Sequence, residues 1–375
     1  MFLQIHTLTS YPASLLNRDD AGLAKRIPFG NATRLRVSSQ CLKRHWREEL
    51  QHQVPQVPDG IRTRAFFTRA VLPILLEGGI PASRAEKLVI ALAKQLIDGG
   101  VKETGELAQP ILFGLRERDY FVDLLRQIAS DTDSDESALK ALESRLKSPE
   151  ERNNLKAMKR SAAGLSAALF GRMVTSDLLA RVDAPVHVAH AFTVHPAETE
   201  MDYFTVVDDL NRDDEAGAAH ANQSELGSGI YYGYVVVDVP LLVSNLTGCD
   251  AKDWLDQAPD PARISVGALI HAVATCTPGA KLGSTAPHAR AEFVLLEIGT
   301  QQPRTLANAY LDALRLAGTN PMQEAVQRLG DYLRRVDAMY GMTADTRLLS
   351  TVHGATDFAP LTVEPLDRAT QRALD

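Results

Sequence analysis

The stretch TRLRVSSQCLKRHWREEL, residues 33–50, predicts a β-strand that leads directly into an α-helix. Its first half alternates between apolar and polar side chains, with Leu35 and Val37 on one face, as in a half-buried strand. The polar face consists of Arg34, Arg36 and Ser38. Ser38 and Ser39 both suit the N-cap of the helix that follows. We therefore expect a strand with an exposed basic face that continues into a capped helix.

The same stretch belongs to a segment whose charge differs from that of the rest of the chain. Residues 18–47, which we call the basic segment, contain eight Lys and Arg and two Asp residues, a net charge of +6. Because the whole chain has a formal net charge of −7, the remaining residues carry −13. Such asymmetry indicates an anion site, although a solvated basic face would have the same composition.

The spacing of the polar residues on the predicted helix favours an anion site. Gln40, Lys43 and Arg47 share one stripe because they are three and four residues apart. Lys43 and Arg44 also lie near the helix N-terminus, where the macrodipole disfavours cations, and a bound anion would remove this conflict. The cations are spread over a strand, a loop and a helix, and no Walker-type phosphate loop occurs. An extended phosphate polymer, such as a nucleic acid, therefore fits better than one small nucleotide.

Outside the basic segment, the chain alternates between sheet and helix signals. Residues 1–10 predict a strand, and residues 61–180 show mainly helical periodicity, with apolar side chains at 88, 89, 92 and 96. A second strand signal covers residues 184–195, and a polar, glycine-bearing stretch after it predicts a protruding loop or long hairpin. The remaining chain predicts a strand at 230–239, a helix at 264–276, a strand at 291–299, and helices at 305–317 and 320–340. Without the helical insertion and the polar stretch, this order is close to a ferredoxin-like or RNA-recognition-type sheet.

The composition excludes several classes of protein. Cys41, Cys249 and Cys276 are far apart and odd in number, which argues against a disulfide framework and a cysteine zinc site. The N-terminus lacks the long apolar core of a signal peptide, and no apolar run reaches about 18 residues. We therefore expect a cytoplasmic protein with no membrane span.

Seven short motifs carry a family resemblance. They are L-N-R-D-D at 16–20, F-G at 29–30, R-V-S-S-Q-x-L-K-R at 36–44, G-R-M at 171–173, V-A-H-A-F-T-V-H at 188–195, D-Y-F-T-V-V-D-D at 202–209 and P-G-A-K at 278–281. In this order, and over nearly the whole chain, they resemble the CasC family. Members of that family are the backbone subunits of Cascade, the type I-E CRISPR RNA-guided surveillance complex.

The resemblance implies an α+β fold shaped like a right hand. A modified RRM or ferredoxin-like palm would carry an inserted helical finger domain and a thumb formed by a β-hairpin or loop. The implied boundaries are palm at 1–60, fingers at 61–180, palm again at 181–200, thumb at 201–229, and palm with C-terminal helices at 230–375. Several copies would stack along the guide RNA as a filament, and each thumb would displace a base at regular intervals.

The resemblance also implies RNA contacts at positions that match the family's motifs. Contacts to phosphates or sugars are implied for Arg18, Lys25, Ser38, Gln40, Lys43, Arg44, Arg47 and Lys281. Met173 would wedge against the RNA near a kink, and Tyr203, Phe204, Thr205 and His220 would approach it from the thumb. Arg34 and Arg36 join this set from the strand pattern alone. Tyr203 stands where the family often has Trp, and either ring can stack on a base. Ala221 stands where a bulkier aliphatic residue is common, which leaves its role as a wedge open.

Other interpretations of these residues remain. Asp19 or Asp20 could cut RNA, as an early carboxylate does in related backbone subunits, but either could instead organise the loop. Met173 could be core filler. His187, His190 and His195 do not share one strand face, which argues against a metal site, and the run from Asp209 departs from a calcium loop. A phosphometabolite enzyme would need a compact pocket near the basic segment.

We therefore expect a non-enzymatic RNA-binding scaffold without a cofactor. Its expected partners are CRISPR guide RNA, target DNA paired with that guide, other copies of the chain and other Cascade subunits. Base pairing would read the sequence, so the protein would need to hold only the backbone and shape of the RNA.

Overall fold

In the computed structural model, twelve β-strands and twelve α-helices are found among residues 1–158, 163–173, 179, 181–207, 218–279, 281–316, 320–341, 344–354 and 361–375, which are the residues that the structure describes. Within these ranges, the side chains of 156–158, 205–207, 218–222 and 362 are not described. The strands are β1 (Phe2–Ser14), β2 (Arg26–Phe29), β3 (Ala32–Val37), β4 (Gly60–Thr63), β5 (Ile111–Gly114), β6 (Val186–Val188), β7 (Ala191–Thr193), β8 (Glu198–Val207), β9 (Ala218–Asp238), β10 (Phe293–Gly299), β11 (Thr346–Thr351) and β12 (Thr362–Val363).

The helices follow the same chain order. They are α1 (Ser39–Gln53), α2 (Leu72–Glu77), α3 (Ala82–Leu96), α4 (Leu115–Ser130), α5 (Asp135–Lys147), α6 (Pro149–Met158), α7 (Leu165–Phe170), α8 (Val239–Thr247), α9 (Asp260–Thr275), α10 (Leu282–Thr285), α11 (Pro321–Tyr340) and α12 (Leu366–Leu374). A π-helical turn at Phe67–Val71 precedes α2, and 3₁₀ turns occur at Ala251–Asp256 and Ala307–Tyr310.

Contacts divide the chain into two units. The first unit comprises residues 1–53, 187–237 and 265–375, and the second comprises 54–186 and 238–264. The second unit contains the predicted helical insertion at 61–180. It also includes 238–264, which the sequence had assigned to the palm, because α8 packs on α7 and the Asn245 amide donates to the Ala168 carbonyl at 3.0 Å. The palm, finger and thumb divisions remain predictions.

The sheet of the first unit is built around β1. Its strands run in the order β12-β11-β10-β1-β9-β7-β3-β2, and β6 and β8 pair with β9 outside this path. β1 pairs antiparallel with β10, from Phe2 opposite Gly299 to Leu8 opposite Phe293. β1 has a neighbouring strand on each edge, both of its faces are largely buried, and it extends past the predicted residue 10. The α+β class is therefore confirmed.

The second unit has its own core. The predicted apolar positions of α3 are buried, at Leu88, Val89, Leu92 and Leu96. The unit also contains the two-stranded β4–β5 sheet, which the helical periodicity did not predict. Phe66 stacks on Phe113 with ring centroids 4.0 Å apart, so the short sheet and the π-helical turn share this core.

Two other segments differ from their sequence predictions. Residues 305–317 were expected to be helical, but among their described residues only the turn Ala307–Tyr310 is helical. The backbone groups of Tyr310, Leu311 and Leu314 instead hydrogen-bond to Arg34, Asn31 and Val194, which are distant in sequence. The strand predicted at 184–195 is broken into β6 and β7 at Ala189 and His190. By contrast, the polar stretch forms a long hairpin, one of its two predicted forms: its described residues belong to β8 and β9, which pair antiparallel.

Among the described residues, no helix is both long enough and apolar enough to cross a bilayer.

Candidate nucleic-acid interface

Asn17 and Asp19 organise the loop that begins the basic segment. The side-chain oxygen of Asn17 accepts a hydrogen bond from the Ser38 backbone at 2.9 Å, and its carbonyl accepts from the Lys25 backbone at 2.9 Å. The Asp19 carboxylate accepts from the backbone N–H groups of Ala21 and Leu23, both at 2.9 Å. The loop is therefore fastened to the start of α1, and Asp19 acts as its organiser. Asp20 is exposed.

Lys25 and Arg36 form a cationic cluster beside this loop, and the imidazole of His190 contacts Arg36. The Lys25 carbonyl accepts from the Arg36 backbone at 2.8 Å, and Arg36 Nη1 lies 2.9 Å from His190 Nδ1. Burial lowers the pKa of His190, and the positive charges of Arg36 and Lys25 lower it further. His190 reaches the cluster because β7 pairs with β3, Phe192 lying opposite Arg36. Sequence reasoning considered it only as a metal ligand, and no local signal indicated the strand pairing that places it here.

Helix α1 presents its cations along the edge of its buried face. Leu42, Trp46 and Leu50 are buried, whereas Lys43 and Arg47 are half-buried beside them. Gln40 and Arg44 are exposed, and Arg44 Nε donates to Glu48 at 3.1 Å. Burial lowers the pKa of Lys43, so its charge is held partly out of water. A phosphate beside Lys43 would compensate for this lost solvation. Arg18, in the preceding loop, is also exposed.

Ser38 performs the predicted capping role, which limits what else it can do. Its hydroxyl accepts from the Cys41 backbone N–H at 3.3 Å, and the residue is buried. The capping prediction is confirmed. The expectation that Ser38 lies on an exposed polar face is wrong, because the Asn17 loop packs over the strand–helix junction.

Arg34 also departs from its prediction. Its side chain is fully buried, at 0% exposure. The guanidinium donates to the backbone carbonyls of Thr193 at 3.1 Å, Tyr310 at 2.8 Å and Phe29 at 3.3 Å. The predicted exposure is wrong because the turn containing Tyr310 covers this face of β3. In this arrangement Arg34 supports the fold and is not available to a phosphate.

The base of the β8–β9 hairpin brings together two segments far apart in sequence. Tyr203 and Phe204 are exposed on β8, at 60% and 38%. Lys281 Nζ lies 4.8 Å from the Phe204 ring centroid, within cation–π distance. Lys281 has a left-handed backbone, with φ of 60°, and its carbonyl accepts from the Ser284 N–H at 3.0 Å. The Phe204 ring and the Lys281 ammonium group therefore meet on one exposed surface, which suits a stacked base and its phosphate, whereas the side chain of Tyr203, the preceding residue of β8, points to the opposite face of the strand.

In the outer hairpin, the structure describes the backbone pairing of β8 and β9 but not the side chains. Thr205 pairs with Ala221, and Val206 pairs with His220, in the antiparallel register of β8 and β9. The side chains of Thr205, His220 and Ala221 lie outside the described residues, as do residues 208–217. The calcium-loop run from Asp209 falls mostly within that range.

Met173 lies in the second unit and is 84% exposed, which excludes a role as core filler. Gly171 has φ of 76°, and a Cβ there would lie 2.8 Å from the Val182 carbonyl oxygen. Arg172 is buried, and its Nη1 donates to both Glu117 oxygens, at 2.8 and 2.7 Å. The first two residues of the G-R-M motif therefore hold the backbone in place, and the third presents an apolar side chain to solvent.

The alternative sites are not supported by the same geometry. His195 is buried, with Nδ1 donating to the Pro196 carbonyl at 2.7 Å and Nε2 accepting from the Ile230 N–H at 3.1 Å. In the described part of the chain, no group of three or more His, Cys, Asp or Glu side chains is placed to hold a metal ion. A cavity beside α1 is lined largely by apolar and aromatic residues such as Tyr11, Trp46 and Tyr231, and its lining includes no Lys or Arg.

Comparisons with known proteins agree with the resemblance read from the motifs. The family model described as CT1975-like protein matches residues 3–372. A chain of the solved "CRISPR RNA-guided surveillance complex, pre-nicking" is 25% identical, with a TM-score of 0.82, and the match covers 100% of this chain and 99% of that chain. A chain of a "CRISPR RNA-guided surveillance complex" is 23% identical, with a TM-score of 0.62 and coverage of 100% and 98%, and supports the fold alone. No curated protein matches significantly. Because the family model spans almost the whole sequence, the chain belongs to the CT1975-like protein family, in agreement with its CasC-like motifs.

Proposed function

We propose that the chain is a backbone subunit of a CRISPR surveillance complex that binds guide RNA through its basic segment and holds the RNA for pairing with target DNA. The observation that carries this proposal is the cationic surface of the first unit. Lys25, Arg36 and His190 meet beside the organised loop, and Lys43 and Arg47 line α1. The similarity to a chain of a solved RNA-guided surveillance complex supports guide RNA as the ligand of this surface.

The chemistry of the surface suits contact with the RNA backbone. Lys and Arg supply sequence-independent attraction to phosphates, and the exposed rings of Tyr203 and Phe204 offer stacking faces to bases of any identity. Groups that read base edges are few, which fits a protein that leaves recognition to base pairing. Several copies would bind successive segments of one guide, with other Cascade subunits at the ends of the filament, in the cytoplasm.

The proposed role is that of a scaffold and not of a nuclease. The Asp19 carboxylate is engaged by two backbone N–H groups of its own loop, which accounts for an acid in this position without catalysis. Asp20 is exposed and has no metal-binding partner group among the described residues. No specific contact favours an RNA-cleaving activity.

The proposal is tested by what the protein carries when it is purified. Expression with a CRISPR array should yield protein with excess absorbance at about 260 nm and RNA of one discrete length on a gel. The Lys43→Ala/Arg47→Ala variant, expressed in the same way, serves as the matched control and should carry much less RNA. Purified protein that is free of RNA, or that carries RNA of random length, would contradict the guide-binding role.

A further inference from the structure

Glu225 is an acidic residue at the edge of a surface that we propose binds phosphate. It lies on β9 opposite Met201, at the base of the hairpin, and is 4% exposed. Its Oε2 accepts a hydrogen bond from the Ala24 backbone N–H at 2.7 Å, and its Oε1 accepts from Arg26 Nη2. The Glu225 carboxylate therefore contacts both the backbone of the loop at residues 17–25, which we call the basic loop, and the side chain of Arg26 in β2.

Arg26 extends this contact towards the cationic cluster. Its guanidinium also donates to the Ala24 carbonyl at 3.3 Å and to Thr199 Oγ1 on β8 at 3.3 Å. Its own carbonyl accepts from Arg36 Nε at 3.2 Å, and Arg36 Nη1 lies 2.9 Å from His190 Nδ1. A continuous series of hydrogen bonds therefore runs from the hairpin base to the cluster.

The charge state of Glu225 supports a persistent contact. Burial by itself would raise the pKa of this carboxyl, but the hydrogen bonds from the Ala24 backbone and from Arg26 and Thr199 outweigh burial and lower it. The group is therefore ionised near neutral pH, so its hydrogen bonds are of the stronger, charge-assisted kind.

We propose that Glu225 and Arg26 form a clamp that positions the basic loop for RNA binding, with neither residue touching the RNA. This inference rests on the proposed RNA-binding function. The clamp fixes Lys25 relative to Arg36 and ties the hairpin to the loop, so the phosphate-binding groups are arranged before the RNA arrives. Preorganisation of this kind raises affinity by reducing the ordering that binding would otherwise require.

Neutralising Glu225 distinguishes a positioning role from a purely electrostatic effect on RNA affinity. Glu225→Gln removes a negative charge next to a cationic surface, so a purely electrostatic effect would tighten RNA binding. The clamp predicts the reverse, a loss of about tenfold in affinity, which is about 1.4 kcal/mol. Glu200→Gln is the matched control, because Glu200 is an exposed acid on the same hairpin and its neutralisation changes the charge equally. Affinity for one single-stranded RNA of defined length would be measured for both variants and for the unaltered protein.

Arg26→Lys gives a second test that does not depend on how well Glu225→Gln folds. It keeps the positive charge but removes the planar fork that holds several acceptors at once, so the clamp predicts weaker RNA binding. Hydrogen exchange at the Ala24 amide should also become faster in both clamp variants than in Glu200→Gln. If either clamp variant folds and binds RNA as tightly as Glu200→Gln, the clamp is wrong. If the unaltered protein does not bind RNA, the proposed function itself fails, and the two failures are thereby distinguished.

Discussion

At the scale of single residues, whether an arginine can contact a phosphate depends on which residues cover its side chain. Arg34 and Arg36 are two residues apart on β3, so the sequence predicts that both side chains lie on the same exposed face. Arg34 donates to three backbone carbonyls and is fully buried, whereas Arg36 is half-buried next to His190. A buried guanidinium with satisfied hydrogen bonds supports the fold, and only the second arginine remains near solvent to meet a phosphate.

The cations of α1 give a prediction about RNA affinity. Changing Lys43 and Arg47 together to Ala should weaken binding to a similar degree for RNAs of different sequence, because these side chains would meet phosphates and not base edges. The slope of log affinity against log salt should become shallower by about 1.4, or about 0.7 for each lost phosphate contact to a single strand. A filter-binding series over several salt concentrations measures both quantities.

The matched control for this pair is Lys140→Ala/Lys147→Ala. These lysines are exposed on α5 in the other unit, where they pair with Glu136 and Glu143, so the control removes the same charge from a surface without a proposed RNA contact. An equal loss of affinity in both double variants would mean that net charge alone, and not the α1 surface, governs binding.

At the scale of elements, the base of the β8–β9 hairpin has one strand packed in the fold and one strand with exposed side chains. Ile230, Tyr232 and Val235 of β9 are buried in the first unit, whereas Met201 and Tyr203 of β8 are at least half exposed. The base therefore belongs to the fold through β9, and β8 presents side chains that another molecule can contact. Glycine preserves close packing at the base, since a Cβ at Gly227 would lie 2.6 Å from Leu35 Cδ1.

Shortening the hairpin should leave folding intact but disrupt regular assembly along the guide RNA. In the observed register Thr205 pairs with Ala221, so residues 206–220 can be replaced by Asn-Gly, which favours a two-residue hairpin turn. The shortened protein should fold and bind a short RNA nearly as the full chain does, because the basic segment and Glu225 are retained. On a long guide it should lose its regular spacing, as seen by electron microscopy. Unchanged spacing would show that the outer hairpin does not contact a neighbouring copy or its RNA.

At the scale of the whole molecule, three histidines make stability depend on pH. Burial lowers the pKa of His6, His190 and His195. His6 is fully buried beside Glu297, whose carboxylate also accepts hydrogen bonds from Arg304 and Arg347, and Asp337 pairs with both arginines. A proton on any of these histidines is therefore bound more weakly in the folded state than in the unfolded chain.

This difference sets the direction of the pH effect. Because the folded pKa values lie below the ordinary value of about 6.5, unfolding takes up protons as the pH falls below that value. The free energy of unfolding, measured by urea denaturation, should change little between about pH 7 and 8 and should decrease on acidification below that range. His6→Gln should make this decrease smaller, because one of the three groups no longer titrates. A stability that rises on acidification below about pH 6.5 would contradict the assignment of these histidines as neutral in the folded state.

Local patterns in the sequence were reliable where neighbouring residues decide the structure. The alternation at 33–38 predicted β3, Ser38 caps α1 as expected, and the apolar positions of α3 are buried. The prediction was wrong at 305–317, where backbone hydrogen bonds of Leu311 and Leu314 with the distant residues Asn31 and Val194 replace those of a regular helix. The break between β6 and β7 was also missed, because it depends on how β7 pairs with β3 and β9.

The sequence by itself determined the α+β class, the family and the position of the positive charge along the chain. These follow from periodicity, from the order of short motifs and from the contrast between the basic segment and an acidic remainder. Only the tertiary structure decided which cations remain available, since it buries Arg34, adds His190 to the cluster, places Lys281 over Phe204 and pairs Glu225 with Arg26. The reason is physical: alternation assigns a side chain to a face of a strand, whereas pairing with distant strands and loops decides whether that face meets solvent, another ion or the core.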